Sequence, residues 1–294
     1  MTFNKKEENI SKHYSNRIQK WIDEYKNPQG YPFTKIRLER VQSYLERNAI
    51  RHEFLLDVGC GIGMAPLELV ARPGRVHGFD VAQGLIDAAN DIAEEYTDVK
   101  STFFVGSALD PGCYPDQLAN VAMAFGVFQH IEQDIEVLSL MGQNIEDDGL
   151  VIATFRNPLF ALTTFNRPAY ELFEDLFRKF LATEKADLLE GFLKEKCDIS
   201  LPPIRKGELD DPGIDDLVYR YHNPLTVEDI FRKAGLCVVD LDFYRHHALP
   251  PLLRKEEPGL FDRLSLELDR SENDWRSMFL CSTYIVYARK DGSI

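Results

Sequence analysis

Long apolar runs are missing from this sequence. No stretch approaches the roughly 18 apolar residues that a membrane-spanning helix needs. The N-terminal segment MTFNKKEENISKHYSNR is polar and lacks the apolar core, about 7–15 residues long, that defines a secretory signal peptide. The sequence therefore predicts a cytoplasmic protein with no membrane partner.

Cysteines are few and are not arranged in pairs. The sequence has five of them, an odd number, with no CxxC pair and no cysteine–histidine spacing of the zinc type. They are Cys60, Cys113, Cys197, Cys237 and Cys281. This pattern argues against a disulfide framework, so we expect ordinary thiols in a reducing compartment and no metal site.

Basic residues are fewer than acidic residues in this sequence. The 48 acidic residues outnumber the 34 lysines and arginines, which gives a formal net charge of −14. An acidic envelope of this size repels phosphate backbones, so a nucleic-acid partner is not expected. The 294 residues are enough for a sizeable core, arranged as one large domain or as one domain with a lid.

What the sequence does contain is a regular alternation of short apolar runs with stretches of helical period, from about residue 52 to 155. The last of these runs, LVIATF, is too uniformly apolar for a half-exposed strand and suits one that is covered on both faces. The predicted strands are residues 54–58, 75–79, 102–105, 120–125 and 150–155. Repeated strand–helix units of this kind predict a parallel, doubly wound α/β sheet with helices on both faces.

The alternation stops at residue 157 and resumes near residue 219. A helix is predicted at 226–235, with Thr226 as its N-terminal cap and Gly235 as its C-terminal stop. Two more strands, 236–244 and 278–288, would complete a seven-stranded sheet. The predicted parts are an N-terminal helical segment over the sheet edge (1–50), the sheet domain (51–156 and 219–294) and a helical cap inserted into it (157–218).

The strongest local signal is LLDVGCGIG at residues 55–63, followed by Asp80 at the end of the next predicted strand. Glycines at a strand-to-helix turn let the backbone approach a ligand, and an acid on the neighbouring strand end can bind both ribose hydroxyls. Together they predict a nucleoside site at the carboxyl edge of the sheet. The dinucleotide fingerprint GxGxxG would require a third glycine where this chain has Met64, so pyrophosphate binding is not supported.

This motif, taken with Asp80, resembles the first two motifs of the class I S-adenosylmethionine-dependent methyltransferases, which have a Rossmann-like fold. The resemblance covers roughly residues 54–155 and the closing strands. It implies that S-adenosylmethionine is the cofactor and that the chain is an enzyme. The cofactor-binding residues that it implies in this part are Asp57, which orients the turn, Gly59, Cys60 and Gly61 under the methionine moiety, Asp80 at the ribose and Val81 at the adenine face.

The third and fourth strand ends complete the family pattern with one departure. Many relatives have an acid after the glycine that ends the third strand, where it binds the adenine amino group, but this chain has Ser107. Ser107, or backbone groups of Ala108 and Leu109, would then take that role. The segment with Phe125 and His130 resembles the one that lies beneath the sulfonium and faces the acceptor. His130 is predicted either as a general base with a pKa near neutrality or as a residue that only lines the cofactor pocket.

Polar and aromatic residues cluster at three further strand or helix ends. Aromatic faces beside cationic and amide donors suit a sugar, another polyhydroxyl ring or an acid-bearing small molecule. The predicted substrate-binding residues are Arg156, Tyr221, His222, Tyr244 and His246, with His222 as a second candidate base. A purely structural role is an equal alternative for each of them.

Methyl transfer from a sulfonium needs little covalent assistance, because the donor is already activated and alignment supplies much of the rate. We therefore predict O-methylation of a small polar, sugar-like acceptor. N-methylation is a close alternative, since a neutral amine needs only an exposed lone pair. A nicotinamide-dependent oxidoreductase and a catalytically silent cofactor-binding domain are the less favoured alternatives, and the sequence does not indicate an oligomeric state.

Overall fold

The computed structural model describes residues 3–28, 30–180, 183–207, 212–217 and 220–292. Seven strands in these residues form one sheet. They are β1 (Phe54–Val58), β2 (Gly74–Asp80), β3 (Val99–Val105), β4 (Ala119–Ala124), β5 (Ile145–Arg156), β6 (Leu236–His246) and β7 (Cys281–Lys290). The predicted Rossmann-like, mostly parallel, seven-stranded architecture is confirmed.

The order of the strands across the sheet is β3-β2-β1-β4-β5-β7-β6. The pairs β1–β2, β2–β3, β1–β4 and β4–β5 are all parallel. Successive strands lead outward from β1 to β3, and the chain then returns to the other side of β1 to form β4. Open α/β sheets bind their ligands at such a switch point, beyond the carboxyl ends of the strands.

The central strands are buried along their whole length. Every residue of β1 and of β4 is buried, which agrees with their nearly continuous apolar sequences FLLDV and ANVAMA. Parallel strands covered by helices on both faces read in this way, because no side of the strand meets water. Asp57 is the one ionisable residue in these two strands, which makes its position at the end of β1 notable.

Helices cover the sheet and fill its connections. Those of the described residues are α1 (Lys5–Ser15), α2 (Ile18–Lys26), α3 (Phe33–Arg47), α4 (Met64–Leu69), α5 (Gln83–Ala93), α6 (Asp134–Gln143), α7 (Arg167–Phe180), α8 (Thr183–Lys196), α9 (Ile214–Leu217), α10 (Glu228–Lys233), α11 (Pro258–Asp269) and α12 (Ser277–Leu280). Short 3-10 turns lie at Pro111–Cys113, Pro158–Thr163 and Pro251–Lys255. No helix in the described part of the chain is long and apolar enough to cross a membrane.

The predicted N-terminal helical segment consists of three helices. Apolar residues recur at helical spacing in α2 and α3. The additional helix, α1, has the polar sequence KKEENISKHYS and begins with a capping box in which Asn4 and Glu7 satisfy each other's backbone N–H groups. The absence of an apolar stripe explains why its pattern gave no signal.

Two predicted element ends differ from the structure. The prediction of Thr226 as the N-terminal cap is wrong, because helix α10 begins at Glu228. The Thr226 hydroxyl donates to the Asn223 carbonyl, 3.5 Å away, and caps no helical N–H group. The stop after α10 is confirmed, since Gly235 has the left-handed φ of +77°. The last strand starts later than predicted because residues Ser277–Leu280 form helix α12.

The chain divides into two compact units whose limits differ from the predicted cap. Unit 1 contains Met1–Arg156, Lys206–Asp242 and Tyr284–Ile294, and unit 2 contains Asn157–Arg205 and Phe243–Thr283. The predicted insertion 157–218 therefore accounts for only one of the two segments of unit 2. The second segment runs from the end of β6 to the start of β7, within the range predicted as part of the sheet domain.

Asn157 shows why the two segments of unit 2 belong together. Its side chain is buried, and its amide group donates to the carbonyl oxygens of Met278 (2.7 Å) and Cys281 (2.8 Å). Its own backbone N–H donates to the Ser282 carbonyl at 3.1 Å. These bonds join residues far apart in sequence, so no local pattern could have indicated them.

His247 provides a test of packing within unit 2. Its ring lies between the rings of Phe160 (4.5 Å between centroids) and Phe261 (5.5 Å). Burial lowers the pKa of His247 to about 3, and the nearby Arg245 and Arg254 act in the same direction.

We expect the free energy of unfolding to fall as the pH drops from about 6.5 towards 3. In that range the unfolded chain binds a proton at His247 and the folded chain does not, which costs up to about 4 kcal/mol. Urea unfolding at pH 7 and near pH 4.5 should show a smaller loss for His247→Phe than for the wild type. His52→Phe, outside this aromatic cluster, is the matched control, and an equally steep loss in both variants would contradict the assignment.

Candidate functional site

The turn between β1 and α4 holds its backbone in a conformation that favours glycine. Gly59, Gly61 and Gly63 have φ values of +71°, +54° and +71°. The Gly59 and Cys60 N–H groups donate to the Phe79 carbonyl at 2.8 and 3.0 Å, which anchors the turn to β2. A Cβ atom at Gly61 would meet no other atom within 4 Å, so this part of the turn faces open space. A ligand can therefore approach the backbone here.

Asp80 ties the end of β2 to this turn. One carboxylate oxygen accepts from the Gly61 N–H group at 3.0 Å, and the other accepts from Ala82 at 2.9 Å. Burial raises the pKa of Asp80, although these N–H groups oppose the shift. Each oxygen retains a lone pair, which suits the two hydroxyls of a ribose. Val81, the next residue, is partly exposed, as a residue that faces a base would be.

Asp57 lies buried beneath the turn. Its Oδ1 atom has no hydrogen-bond partner among the described residues. Burial raises the pKa of Asp57 well above its usual range, while the nearby Arg37 guanidinium lowers it. The same guanidinium stands over the Phe125 ring, 4.5 Å from its centroid. A buried carboxylate oxygen without a partner is costly, so this atom is suited to meet a polar ligand group.

The remaining predicted cofactor residues line the same edge. Cys60 is buried, and burial raises the pKa of its thiol, which makes it unreactive. Ser107, at the end of β3, is buried and accepts a hydrogen bond from Leu109 N–H at 3.2 Å. The Ala108 carbonyl accepts from the Tyr114 hydroxyl at 2.8 Å, so it is already engaged by the protein.

His130 follows β4, and its hydrogen bonds fix its tautomer. Nδ1 bonds the Leu217 carbonyl, which can only accept, so Nδ1 carries the proton. Nε2 is then the acceptor, and it lies 2.9 Å from the Tyr14 hydroxyl and 2.9 Å from the Gln129 amide nitrogen. Arg156 donates to the oxygen of that amide. The structure therefore joins Arg156, Gln129, His130 and Tyr14 in one hydrogen-bonded network.

The pKa of His130 differs from the near-neutral value expected from the sequence. Burial lowers the pKa of His130 to about 4, and the nearby Arg156 and His13 add to the effect. Burial also raises the pKa of Tyr14 to about 12. At neutral pH His130 is thus a neutral imidazole that accepts hydrogen bonds at Nε2, and Tyr14 keeps its proton. The expected pKa was wrong because His130 is buried, and a sequence pattern does not reveal the burial of a single histidine.

His222 is buried behind the end of β5. Its backbone N–H donates to the Arg156 carbonyl at 3.0 Å, and its Nε2 lies 3.0 Å from the Asp134 carboxylate. The Asp134 carboxylate also receives the Arg220 guanidinium at 2.6 Å. His222 is therefore held close to the backbone of Arg156, but its Nε2 is already bound to a carboxylate.

The other predicted substrate-binding residues occupy different surroundings. Tyr221 is 54% exposed, in the same unit as His130. Tyr244 and His246 belong to unit 2 and are buried. His246 bonds Asp269 through Nδ1 (2.9 Å) and Ser277 through Nε2 (3.0 Å). A contact between His246 and an acceptor would require one of these bonds to break.

Tyr14, like Gln129, belongs to this network and was not predicted from the sequence. It lies on α1 and reaches His130 over a sequence separation of 116 residues. Glu7, Ile10 and Tyr14 recur at spacings of three and four, which puts them on one face of a helix. That spacing was visible in the sequence, but the mixed polar and apolar character of the face concealed it.

Comparison with known proteins finds a methyltransferase domain within the chain. Residues 55–149 match the family model of a methyltransferase domain. This range contains the glycine turn, Asp80, Ser107 and His130. The chain therefore contains a methyltransferase domain, and solved structures of S-adenosylmethionine-dependent methyltransferases share its fold. The predicted methyltransferase class is confirmed at this level.

Solved structures with the same fold extend over nearly the whole chain. Magnesium protoporphyrin IX methyltransferase from Synechocystis PCC 6803, with bound SAH, is 13% identical, with a TM-score of 0.54 over 96% of this chain and 98% of that one. An S-adenosylmethionine-dependent methyltransferase from Clostridium acetobutylicum is 9% identical, with a TM-score of 0.56 over 94% and 99%. The CcbJ methyltransferase from Streptomyces caelestis is 16% identical, with 0.52 over 95% and 98%. No curated protein matches the chain in sequence.

Two glycine substitutions separate backbone strain from steric conflict in the turn. Gly61→Ala should lower the free energy of unfolding by about 1–2 kcal/mol, the cost of a left-handed alanine. Gly63→Ala should cost about 1–3 kcal/mol more, because its Cβ would lie 2.8 Å from the Phe103 ring and 3.2 Å from the Ala89 methyl group. Urea unfolding measures both changes, and equal losses for the two variants would contradict the packing around Gly63.

Proposed function

We propose that this protein transfers the methyl group of S-adenosylmethionine to a hydroxyl oxygen of a small polar metabolite. The observation that carries the proposal is the neutral imidazole of His130. Its Nε2 atom accepts a hydrogen bond from the Tyr14 hydroxyl at 2.9 Å, at the same edge of the sheet as the glycine turn. A methyl acceptor that must lose a proton needs a group of this kind.

The glycine turn and its acids fit the cofactor. The open space beside Gly61 admits a ligand against the backbone. The buried Oδ1 of Asp57 suits the ammonium group of an amino-acid tail, and the Asp80 carboxylate suits the ribose hydroxyls. When bound, S-adenosylmethionine supplies a methyl group that its positive sulfur already activates. The protein therefore has mainly to align the acceptor and handle its proton.

His130 suits the role of a late proton acceptor. A hydroxyl group holds its proton too tightly to lose it beforehand to an imidazole with a pKa of about 4. The acceptor oxygen becomes positively charged as its bond to the methyl carbon forms, and its proton is then far more acidic than an imidazolium. Nε2 takes this proton through Tyr14, whose hydroxyl gives its own proton to Nε2 and accepts the proton of the acceptor oxygen.

The acceptor side favours a polyhydroxyl molecule. The Arg156 guanidinium and the Gln129 amide lie in the His130 network, and Tyr221 offers an exposed aromatic face in the same unit. Such groups recognise sugar-like rings and anionic substituents. The net charge of −14 disfavours nucleic acid as the acceptor. We further propose a cytoplasmic location, which the five scattered cysteines support.

Wild-type protein should bind S-adenosylhomocysteine with micromolar affinity and should give no heat with NAD in titration calorimetry. Asp80→Ala should weaken that binding by about 1.5–3 kcal/mol, because the ribose hydroxyls lose a charged partner. Asp87→Ala, on the exposed face of α5, is the matched control and should bind as the wild type does. Heat with NAD and none with S-adenosylhomocysteine would refute the proposed cofactor.

A screen of polar metabolites with methyl-labelled S-adenosylmethionine should identify an acceptor whose product carries an O-methyl group by mass spectrometry. With that acceptor, His130→Gln should lower kcat by about 10²–10⁴ and leave the affinity for S-adenosylhomocysteine nearly unchanged. The active form of His130 is neutral and its pKa is lowered, so kcat should not change between roughly pH 5.5 and 8.

His52→Gln provides the matched control for this experiment and should retain wild-type kcat. An N-methylated product would refute O-methylation and support N-methylation, its close alternative. A wild-type rate that rises with an apparent pKa near 6.5 would contradict the burial of His130. Full activity of His130→Gln would remove this residue from the mechanism and leave alignment alone.

A further inference from the structure

Helix α1 brings a carboxylate to the end of β3. One oxygen of Glu7 accepts a hydrogen bond from the Ser107 hydroxyl, 100 residues away in sequence. The other oxygen accepts from the Asn4 backbone N–H group at 2.9 Å, as part of the capping box of α1. The Glu7 side chain is thus held from both sides, and its position at Ser107 is fixed by the start of the helix.

The end of β3 is where a base would lie if its ribose were bound by Asp80. Strands β2 and β3 are neighbours, and Asp80 pairs in register with Val105. A nucleoside that extends from the glycine turn across Asp80 continues towards β3, whose chain runs through Val105 to Ser107. Ser107 has no charge of its own, and Asp110, the next acid along the chain, accepts from Gly112 N–H at 2.9 Å. Glu7 therefore supplies a carboxylate at this position.

We propose that Glu7 reads the exocyclic amino group of the cofactor's adenine. An ionised carboxylate only accepts hydrogen bonds, so it favours an amino group at this position of the purine and opposes an oxo group. The Ser107 hydroxyl already donates to one Glu7 oxygen, which leaves that oxygen a second lone pair. This inference rests on the proposed use of S-adenosylmethionine. It assigns selectivity for the cofactor's base to Glu7, a residue outside the sheet.

Recognition by Glu7 also makes base binding depend on the docking of α1. Further contacts of this helix with the sheet domain are the ion pair of Lys6 with Glu132 and the bond from Gly84 N–H to the Ser15 hydroxyl at 3.4 Å. A ligand that adds a hydrogen bond to Glu7 should stabilise the docked helix. Hydrogen exchange at residues 8–15 should therefore slow more with S-adenosylhomocysteine than with S-inosylhomocysteine.

The direct test compares these two ligands in titration calorimetry. S-inosylhomocysteine differs in carrying an oxo group in place of the adenine amino group. Wild-type protein should bind S-adenosylhomocysteine at least tenfold more tightly, and Glu7→Gln should reduce this preference by about tenfold. Glutamine retains the capping-box acceptor for Asn4, so the helix start is preserved. Glu8→Gln, at the neighbouring exposed position of α1, should keep the wild-type preference.

The outcomes separate this inference from the proposed function. If wild-type protein binds neither ligand, the proposed cofactor fails. If wild-type protein binds both ligands equally, or if Glu7→Gln keeps the full preference while binding S-adenosylhomocysteine, Glu7 does not read the base. The wild-type comparison can refute the inference even where the variant does not fold, because it requires no substitution.

Discussion

The site depends on one carboxylate that closes the glycine turn onto the neighbouring strand. Asp80 accepts backbone N–H groups from Gly61 on one side and from Ala82 on the other. These bonds hold the ends of β1 and β2 together at the switch point of the sheet. They also leave lone pairs on both oxygens, so the same group that shapes the turn can bind a ribose. The left-handed glycines then allow the backbone to stand open towards the ligand.

The N-terminal helix completes this edge through polar contacts. Glu7 meets Ser107 beyond β3, and Tyr14 meets His130 beyond β4. Hydrogen bonds of this kind contribute about 1 kcal/mol net each, because water competes for the same groups. The docking of α1 therefore depends on a few specific bonds, in contrast to the apolar packing that holds the central strands. Residues of α1 therefore contact groups beyond the ends of two strands, β3 and β4.

The sequence predicted those parts of the structure that follow from local pattern. The five strands up to residue 156 were all expected, because each contains a short apolar run, although β3 starts three and β5 five residues earlier than predicted. The turn glycines and Asp80 were recognisable because their spacing reflects a backbone requirement. By contrast, α1 lacks an apolar stripe, and unit 2 is joined by bonds such as those of Asn157 that link distant segments. His130 was identified, but its lowered pKa arises from burial by residues that only the fold brings together.

The most direct test of the account is a crystal structure of the protein with S-adenosylhomocysteine. We expect both ribose hydroxyls within hydrogen-bond distance of the Asp80 carboxylate and the amino-acid tail against the turn at Gly59 and Gly61. The sulfur should face the segment that carries His130. A ligand bound elsewhere on the chain, or a ribose that does not contact Asp80, would contradict the assignment of this edge as the cofactor site.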